Sequence, residues 1–268
     1  MQTHVVITGG NAGLGLQVAR FALAEGCEVT IAARSLERGT EAAAKLRKEF
    51  TDARVNVSLL DLSDLGSVQC FASSIARWDV LINNAGAKIE RPYKQTAQGL
   101  EWHVGVNHLG HFALTALLWP KGSPNAKLVS VSSIVARKGN LEFELAEFDR
   151  RSAYANSKKM NLVFAQELAR RLGDSSSTKT SSVAHPGFAR ASFYGSRLIR
   201  ISEYLFAHSA KLGAKSIWAA TKSNNGDFLA PRWFELWGKP KKFKVQSSED
   251  AEMFWRESET RVGHNFKI

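Results

Sequence analysis

A chain of 268 residues, 44% hydrophobic and 23% charged, has enough apolar material for a buried core and none of the bias of disorder, collagen or a coiled coil. Its 36 Lys and Arg against 25 Asp and Glu leave a formal charge of +11, which attracts phosphates, anionic lipid or nucleic acid. Most basic residues lie scattered on helical faces (Lys45, Arg47, Lys48, Lys158, Lys159), only Lys239, Lys241, Lys242 and Lys244 cluster, and no nucleic-acid motif accompanies them, so no nucleic-acid partner is expected.

The opening Met1-Gln2-Thr3-His4 carries no Lys or Arg and leads straight into a β-branched run, which reads as a mature, cytoplasmic N-terminus. Val5-Val6-Ile7 predicts a first strand, and Leu16, Ala19 and Leu23 at helical spacing predict the helix after it. Val29-Thr30-Ile31, Val55-Asn56-Val57 and Val80-Leu81-Ile82 predict three more strands. Ser35 and Ser63 stand at N-cap positions of the intervening helices, the second marked by Leu65, Val68, Ala72 and Ile75. A long helix is expected from about Gln95 to Leu118, ending before Pro120, then a strand over Lys127 to Ser132 and a helix from about Ser152 to Leu172. Polar Gly173 to Thr180 suits an αβ connection into a strand at Ser181 to His185. Phe188 to Leu212 is amphipathic and irregular, a pattern suited to a substrate-covering flap, and residues 231–268 form a C-terminal extension. Alternating strands and helices are the βαβ signature. The expected fold is α/β, a single domain over 1–268 built on one doubly wound parallel sheet of Rossmann type, with helices on both faces.

No apolar run approaches the roughly 18 to 20 residues of a membrane span. Cys27 and Cys70 stand alone, which excludes a disulfide framework and any Cys-rich metal site.

Two constellations carry chemistry. Thr8-Gly9-Gly10-Asn11-Ala12-Gly13-Leu14-Gly15 joins the first strand to the first helix, where glycines let the backbone turn tightly and approach a pyrophosphate at a helix N-terminus. Tyr154 and Lys158, at i and i+4, share one helix face, and an ammonium there favours the phenolate, drawing the Tyr from its ordinary value of about 10 towards neutrality. Ser133 follows a strand end, in the crevice where open α/β sheets bind ligands, and can hydrogen-bond the same substrate oxygen. NAD-binding folds usually end the second strand with an acid; here Thr30-Ile31-Ala32-Ala33 runs into Arg34, with Arg38 one turn on, a pattern suited to the 2′-phosphate of NADP(H).

The glycine spacing resembles the Thr-Gly-x-x-x-Gly-x-Gly turn of the short-chain dehydrogenase/reductase family. Motifs similar to that family's follow in order: Asp61-Leu62, Asn83-Asn84-Ala85-Gly86, Asn107, Ser133, Tyr154-Ala155-Asn156-Ser157-Lys158 and Pro186-Gly187. Gly105 to Phe112, His185-Pro186-Gly187, Trp237-Gly238-Lys239-Pro240 and Phe254 to Gly263 are similar to its retinol dehydrogenase-like branch. The resemblance implies an oxidoreductase interconverting an alcohol and a carbonyl, with a catalytic set of Asn107, Ser133, Tyr154 and Lys158. It implies that Gly9, Asn11, Gly13, Leu14, Gly15, Arg34, Arg38, Asp61, Leu62, Asn84, Ala85, Gly86, Pro186 and Gly187, with Tyr154 and Lys158, bind the cofactor. In that scheme Tyr154 transfers the proton, Lys158 also contacts the nicotinamide ribose, and Asn107 holds a water linking Lys158 to solvent. Asp61 accepts from the adenine amino group and Leu62 covers the ring. Two departures stand out: Ala191, followed by Ser192, occupies the place where the family usually has Thr or Ser, and the stretch from Ser133 to Tyr154 is shorter than in retinol dehydrogenases.

Other residues read more blandly. His108 and His111 lie at i and i+3 without a third ligand, so packing is expected and metal is not. His185 reads as a satisfied buried histidine, and Trp233, Phe234 and Trp237 as core packing. Lys239 to Lys244 beside those aromatics suits a peripheral contact with anionic membrane. The expected partner is an apolar small-molecule carbonyl or alcohol; oligomeric state, a homo-oligomer included, is left open. The alternative functions are an NADPH-dependent carbon-carbon double-bond reductase and a catalytically idle NADP-binding scaffold.

Overall fold

Val5, Val6 and Ile7 are each fully buried, so β1 (His4–Thr8) has no solvent face and belongs inside a sheet covered on both sides. The computed structural model describes residues 2–87, 93–187, 210–233, 235–244 and 248–268. In it β1 pairs with β2 (Glu28–Ala33) and with β4 (Trp78–Asn83), and the strand order is β3-β2-β1-β4-β5-β6-β7-β8. The remaining strands are β3 (Val55–Leu59), β5 (Gly122–Val131), β6 (Thr180–Ala184), β7 (Phe228–Trp233) and β8 (Trp237–Phe243). All neighbours are parallel except β7 and β8, a terminal antiparallel hairpin. The order reverses between β1 and β4, which opens a crevice at the carboxyl ends of these strands.

Each face of the sheet has its own core. On one side α1 (Gly13–Ala24), α2 (Leu36–Glu49) and α6 (Ala210–Ala220) bury Val18, Ala19, Ala43, Leu46, Ala214 and Ile217 against Val5, Ile7, Val29 and Ile31. On the other, α3 (Leu65–Ser74), α4 (Gly110–Leu118), α5 (Arg150–Gly173) and α7 (Ala251–Val262) bury Phe71, Phe112, Leu114, Phe164, Phe254 and Trp255 against Val6, Leu81 and Leu128. The C-terminal residues close this second core. Trp255 stacks on Phe164 with ring centroids 5.7 Å apart, meets Phe112 edge-on at 5.2 Å, and lies under the Arg171 guanidinium at 4.4 Å.

The structure departs from the sequence expectations at several points. The helix expected from Gln95 begins only after Glu101, because Gly99 adopts φ +75° in a tight turn in which Gly99 N donates to Thr96 O. Its first stretch, Val104–Leu109, is π-wound, with Gly110 N donating to Gly105 O. Asp64, not Ser63, caps α3, accepting from Gly66 N at 2.9 Å, while the Ser63 hydroxyl donates to Asp61. Trp233 and Trp237 are 63% and 38% exposed, not core: they face each other near the tip of the terminal hairpin. Phe234 lies outside the described residues, as does 188–209 of the expected flap, and 210–212 open α6. No helix among the described residues is long and apolar enough to cross a membrane.

Trp255 is 1% exposed, so Trp255→Ala is expected to lower the unfolding free energy by about 3–5 kcal/mol. A urea titration reads this as an earlier midpoint at unchanged slope. An unmoved midpoint would show that α7 does not seal the core.

Candidate active site

The crevice begins where β1 ends. Gly9 (φ +65°) and Gly13 (φ +54°) hold left-handed conformations that turn the chain from strand to helix. Gly15 permits close packing behind the turn, since a Cβ there would collide with the Gly9 carbonyl and lie 2.6 Å from Asn84 Nδ2. Asn11 and Leu14, half-buried, complete the turn. The N-cap of α1, Ala12, offers no side-chain acceptor, and the first turn holds no acid, whereas Ser35, Asp64 and Asp149 cap α2, α3 and α5. The α1 amides are thus left for an external anion. Arg34 and Arg38 are exposed just beyond β2 and form no ion pair among the described residues. Asp61 accepts from Ser63 N at 2.9 Å and from Ser63 Oγ at 2.6 Å. Leu62 is buried against Gly110, which leaves little of its surface for a ligand ring.

The segment after β4 lies across the crevice from this turn. Asn84 N and Ala85 N both donate to Thr8 Oγ1 at 2.9 Å, and Asn84 Nδ2 donates to Thr8 O at 2.8 Å. Asn107, in the π-wound stretch, accepts at Oδ1 from Ala87 N at 2.6 Å and donates through Nδ2 to Ser157 Oγ at 2.9 Å. Ser157 in turn donates to Tyr154 O at 2.8 Å. A Cβ on Gly86 would stand 3.3 Å from Asn107 Oδ1 and 3.4 Å from Lys158 Nζ, so this glycine lies directly against both groups.

Tyr154 and Lys158 lie one turn apart on α5 as expected, with Lys158 Nζ 5.9 Å from the Tyr154 ring centroid. The ammonium donates to Val131 O at 3.3 Å, and Ser132 Oγ ties the Lys158 carbonyl at 2.7 Å. Ser133 follows β5 in an extended conformation, half-buried at the same edge. The expected pull on the Tyr154 hydroxyl is reversed: burial pushes it up to about 12 and brings Lys158 down to about 8. The reason is that Tyr154 and Lys158 are 8% and 5% exposed, so desolvation of each charged form outweighs the attraction between them.

Pro186 and Gly187 (φ +76°) continue β6 beyond the buried His185; Ala191 and Ser192 lie outside the described residues. His108 packs as expected, tilted against Phe254 with ring centroids 4.9 Å apart and bonded to Ser258 Oγ at 2.9 Å. No group of three or more His, Cys, Asp or Glu among the described residues could hold a metal ion. Several contributors escaped the sequence reading. Ser132 and Ser157 look like ordinary polar helix or strand residues. Arg137, just after Ser133, pairs with Glu235 of the β7–β8 turn and so fastens the terminal hairpin to this edge. Glu101 and His103 form a buried pair at 2.7 Å, with His103 edge-on to Tyr154 at 6.1 Å. A Glu-x-His spacing at the start of the Asn107 helix was the one available signal.

Comparison with known proteins places this geometry. A family model described as short chain dehydrogenase matches residues 3–193. Human retinol dehydrogenase 12 is 35% identical over 277 aligned positions, covering 95% of this chain and 84% of that protein. A crystal structure of an uncharacterized protein from Mycobacterium paratuberculosis superposes with a TM-score of 0.84 at 34% identity, covering 100% of this chain and 96% of that one. A short-chain dehydrogenase from Sphingobium yanoikuyae, solved with NADPH, superposes with a TM-score of 0.65 at 25% identity, over 83% of this chain and 86% of that one.

Lys158 titrates in the folded protein at about 8, below its ordinary 10.5. Between those values the unfolded chain binds more protons, so stability rises with pH across that window and the burial cost is fully present below it. Lys158→Met is therefore expected to stabilise the ligand-free protein at pH 7 by on the order of 3 kcal/mol. The gain fades as pH climbs through the same window. Thermal unfolding at both ends of it is the measurement, and the absence of a gain at neutral pH would mean the ammonium bears no burial cost.

Proposed function

Because the chain belongs to the short-chain dehydrogenase/reductase family, in its retinol dehydrogenase-like branch, and is therefore an oxidoreductase of small-molecule alcohols or carbonyls using NAD(P)(H), we propose that it interconverts an alcohol and a carbonyl on an apolar substrate with NADP(H). The observation that carries this reading is the buried Tyr154–Lys158 pair, with the ammonium set against Gly86 and the Val131 carbonyl at the carboxyl edge of the sheet.

The residues present fit a dinucleotide. The uncapped amides at Gly13, Leu14 and Gly15, with Gly9 and Asn11 in the turn, take the pyrophosphate. Arg34 and Arg38, exposed and without acidic partners among the described residues, take the 2′-phosphate; the NADPH in the Sphingobium enzyme supports the same preference. Asp61 and Leu62 flank the adenine, Asn84, Ala85 and Gly86 the ribose side, and Pro186 and Gly187 the nicotinamide side. The nicotinamide ring supplies or accepts the hydride when bound.

The chain's own part is proton handling. Burial keeps the Tyr154 hydroxyl protonated, so in the reducing direction it donates its proton to the substrate oxygen as negative charge develops there. The adjacent Lys158 ammonium then stabilises the phenolate left behind. The Ser133 hydroxyl donates a second hydrogen bond to the same oxygen. Asn107, fixed between Ala87 and Ser157, holds the water that links Lys158 to solvent.

Tyr154→Phe removes one hydroxyl and leaves the nucleotide turn untouched, so NADPH affinity should change little while kcat falls by about 10² to 10⁴. Turnover within about threefold of the parent would exclude Tyr154 as the proton donor. Arg34→Asp should move the preference from NADPH towards NADH, with kcat/KM measured for both nucleotides; an unchanged ratio would sink the assignment of Arg34. A carbonyl screen with NADPH in which only polar sugars or acids turned over would overturn the apolar substrate class.

A further inference from the structure

The His111 ring is 2% exposed and bridges the first turn of α4 to the end of β1. Its Nδ1 lies 2.9 Å from the carbonyl oxygen of Asn107 and its Nε2 lies 2.9 Å from Thr8 Oγ1. A carbonyl only accepts, so Nδ1 carries the hydrogen, and in a neutral ring Nε2 must then accept from the Thr8 hydroxyl. That commits the single proton of Thr8 to His111 and leaves both of its lone pairs for Asn84 N and Ala85 N. The competing acceptor, Ile82 O, lies farther away at 3.3 Å. At its other end the ring engages the residue whose side chain accepts from Ala87 N.

We infer that His111 is a positioning residue: one imidazole orients the Thr8 hydroxyl and engages the Asn107 backbone, and so fixes both ends of the 84–87 loop against Lys158. It acts through Thr8 and Asn107, and its own atoms are not placed on the reacting groups. The π winding of Val104–Leu109 supports the inference, because it lies in the stretch whose Asn107 carbonyl the ring engages. The ring is suited to a fixed tautomer: burial, reinforced by the charge of Lys158, holds it near 4 and hence neutral, with His108 the other titratable group beside it.

The test uses the full chain and three readouts. A long-range ¹H–¹⁵N spectrum should show His111 as the Nδ1–H tautomer, unchanged from about pH 8 to about pH 5.5. Amide exchange at Asn84 and Ala85 should accelerate about tenfold or more in His111→Leu, and stay within about threefold of the parent in His111→Gln, whose carboxamide can both donate and accept. NADPH titrated by fluorescence should bind the Leu variant at least about threefold more weakly, with Gln restoring affinity. An Nε2–H tautomer, a ring titrating above about pH 6, or parent-like exchange at both amides in a folded Leu variant would each overturn the inference. Should the Leu variant fail to fold, the tautomer of the parent and exchange in the Gln variant decide it. The binding arm alone rests on the dinucleotide reading: if NADPH fails to bind the parent while tautomer and exchange behave as expected, the cofactor assignment falls and the positioning role stands.

Discussion

Burying the Lys158 ammonium is the constraint around which the crevice is arranged. A Lys at 5% exposure loses most of its hydration, and no carboxylate among the described residues forms an ion pair with it. What lies against it instead are the Val131 carbonyl and the bare face of Gly86. Neutral dipoles offset only part of the desolvation, so the charge is held at a cost that the rest of the fold must carry. A group held this way is sensitive to any negative charge that arrives nearby, which is what a phenolate one helical turn away would be.

The cost is carried by two cores of different character. The face covered by α1, α2 and α6 is lined by small and β-branched residues that let helices approach the sheet closely. The face covered by α3, α4, α5 and α7 is aromatic, with Phe112, Phe164, Trp255 and Phe266 in mutual contact. It is this second face that backs α5 and the π-wound stretch. The aromatic seal therefore supports α5, the helix that carries Tyr154 and Lys158.

The π-wound stretch shows how local preference yields to packing. Val104 to Leu109 has ordinary helix-compatible residues, yet the chain widens there and ties itself to Thr8, Ala87 and Ser157 through Asn107 and His111. Irregular backbone within an otherwise regular helix is often found at functional sites. Here the irregularity has identifiable beneficiaries: the 84–87 loop, the end of β1 and α5 are brought into register by two side chains.

The first six strands, most helices, the glycine turn and the Tyr154–Lys158 spacing were legible in the sequence because each is set by local periodicity or by conformations open only to glycine, whereas the β7–β8 hairpin and α7 were not among the predicted elements. What tertiary structure alone decided concerns burial by segments remote in the chain. The direction of the Tyr154 and Lys158 shifts follows from desolvation, which i,i+4 spacing does not contain. The exposure of Trp233 and Trp237 follows from their place near the tip of an edge hairpin, where no layer covers them. The start of the Asn107 helix, the Arg137–Glu235 link and the His111 bridge join residues up to 103 positions apart, and such pairings are fixed by the order of strands in the sheet, which no local pattern specifies.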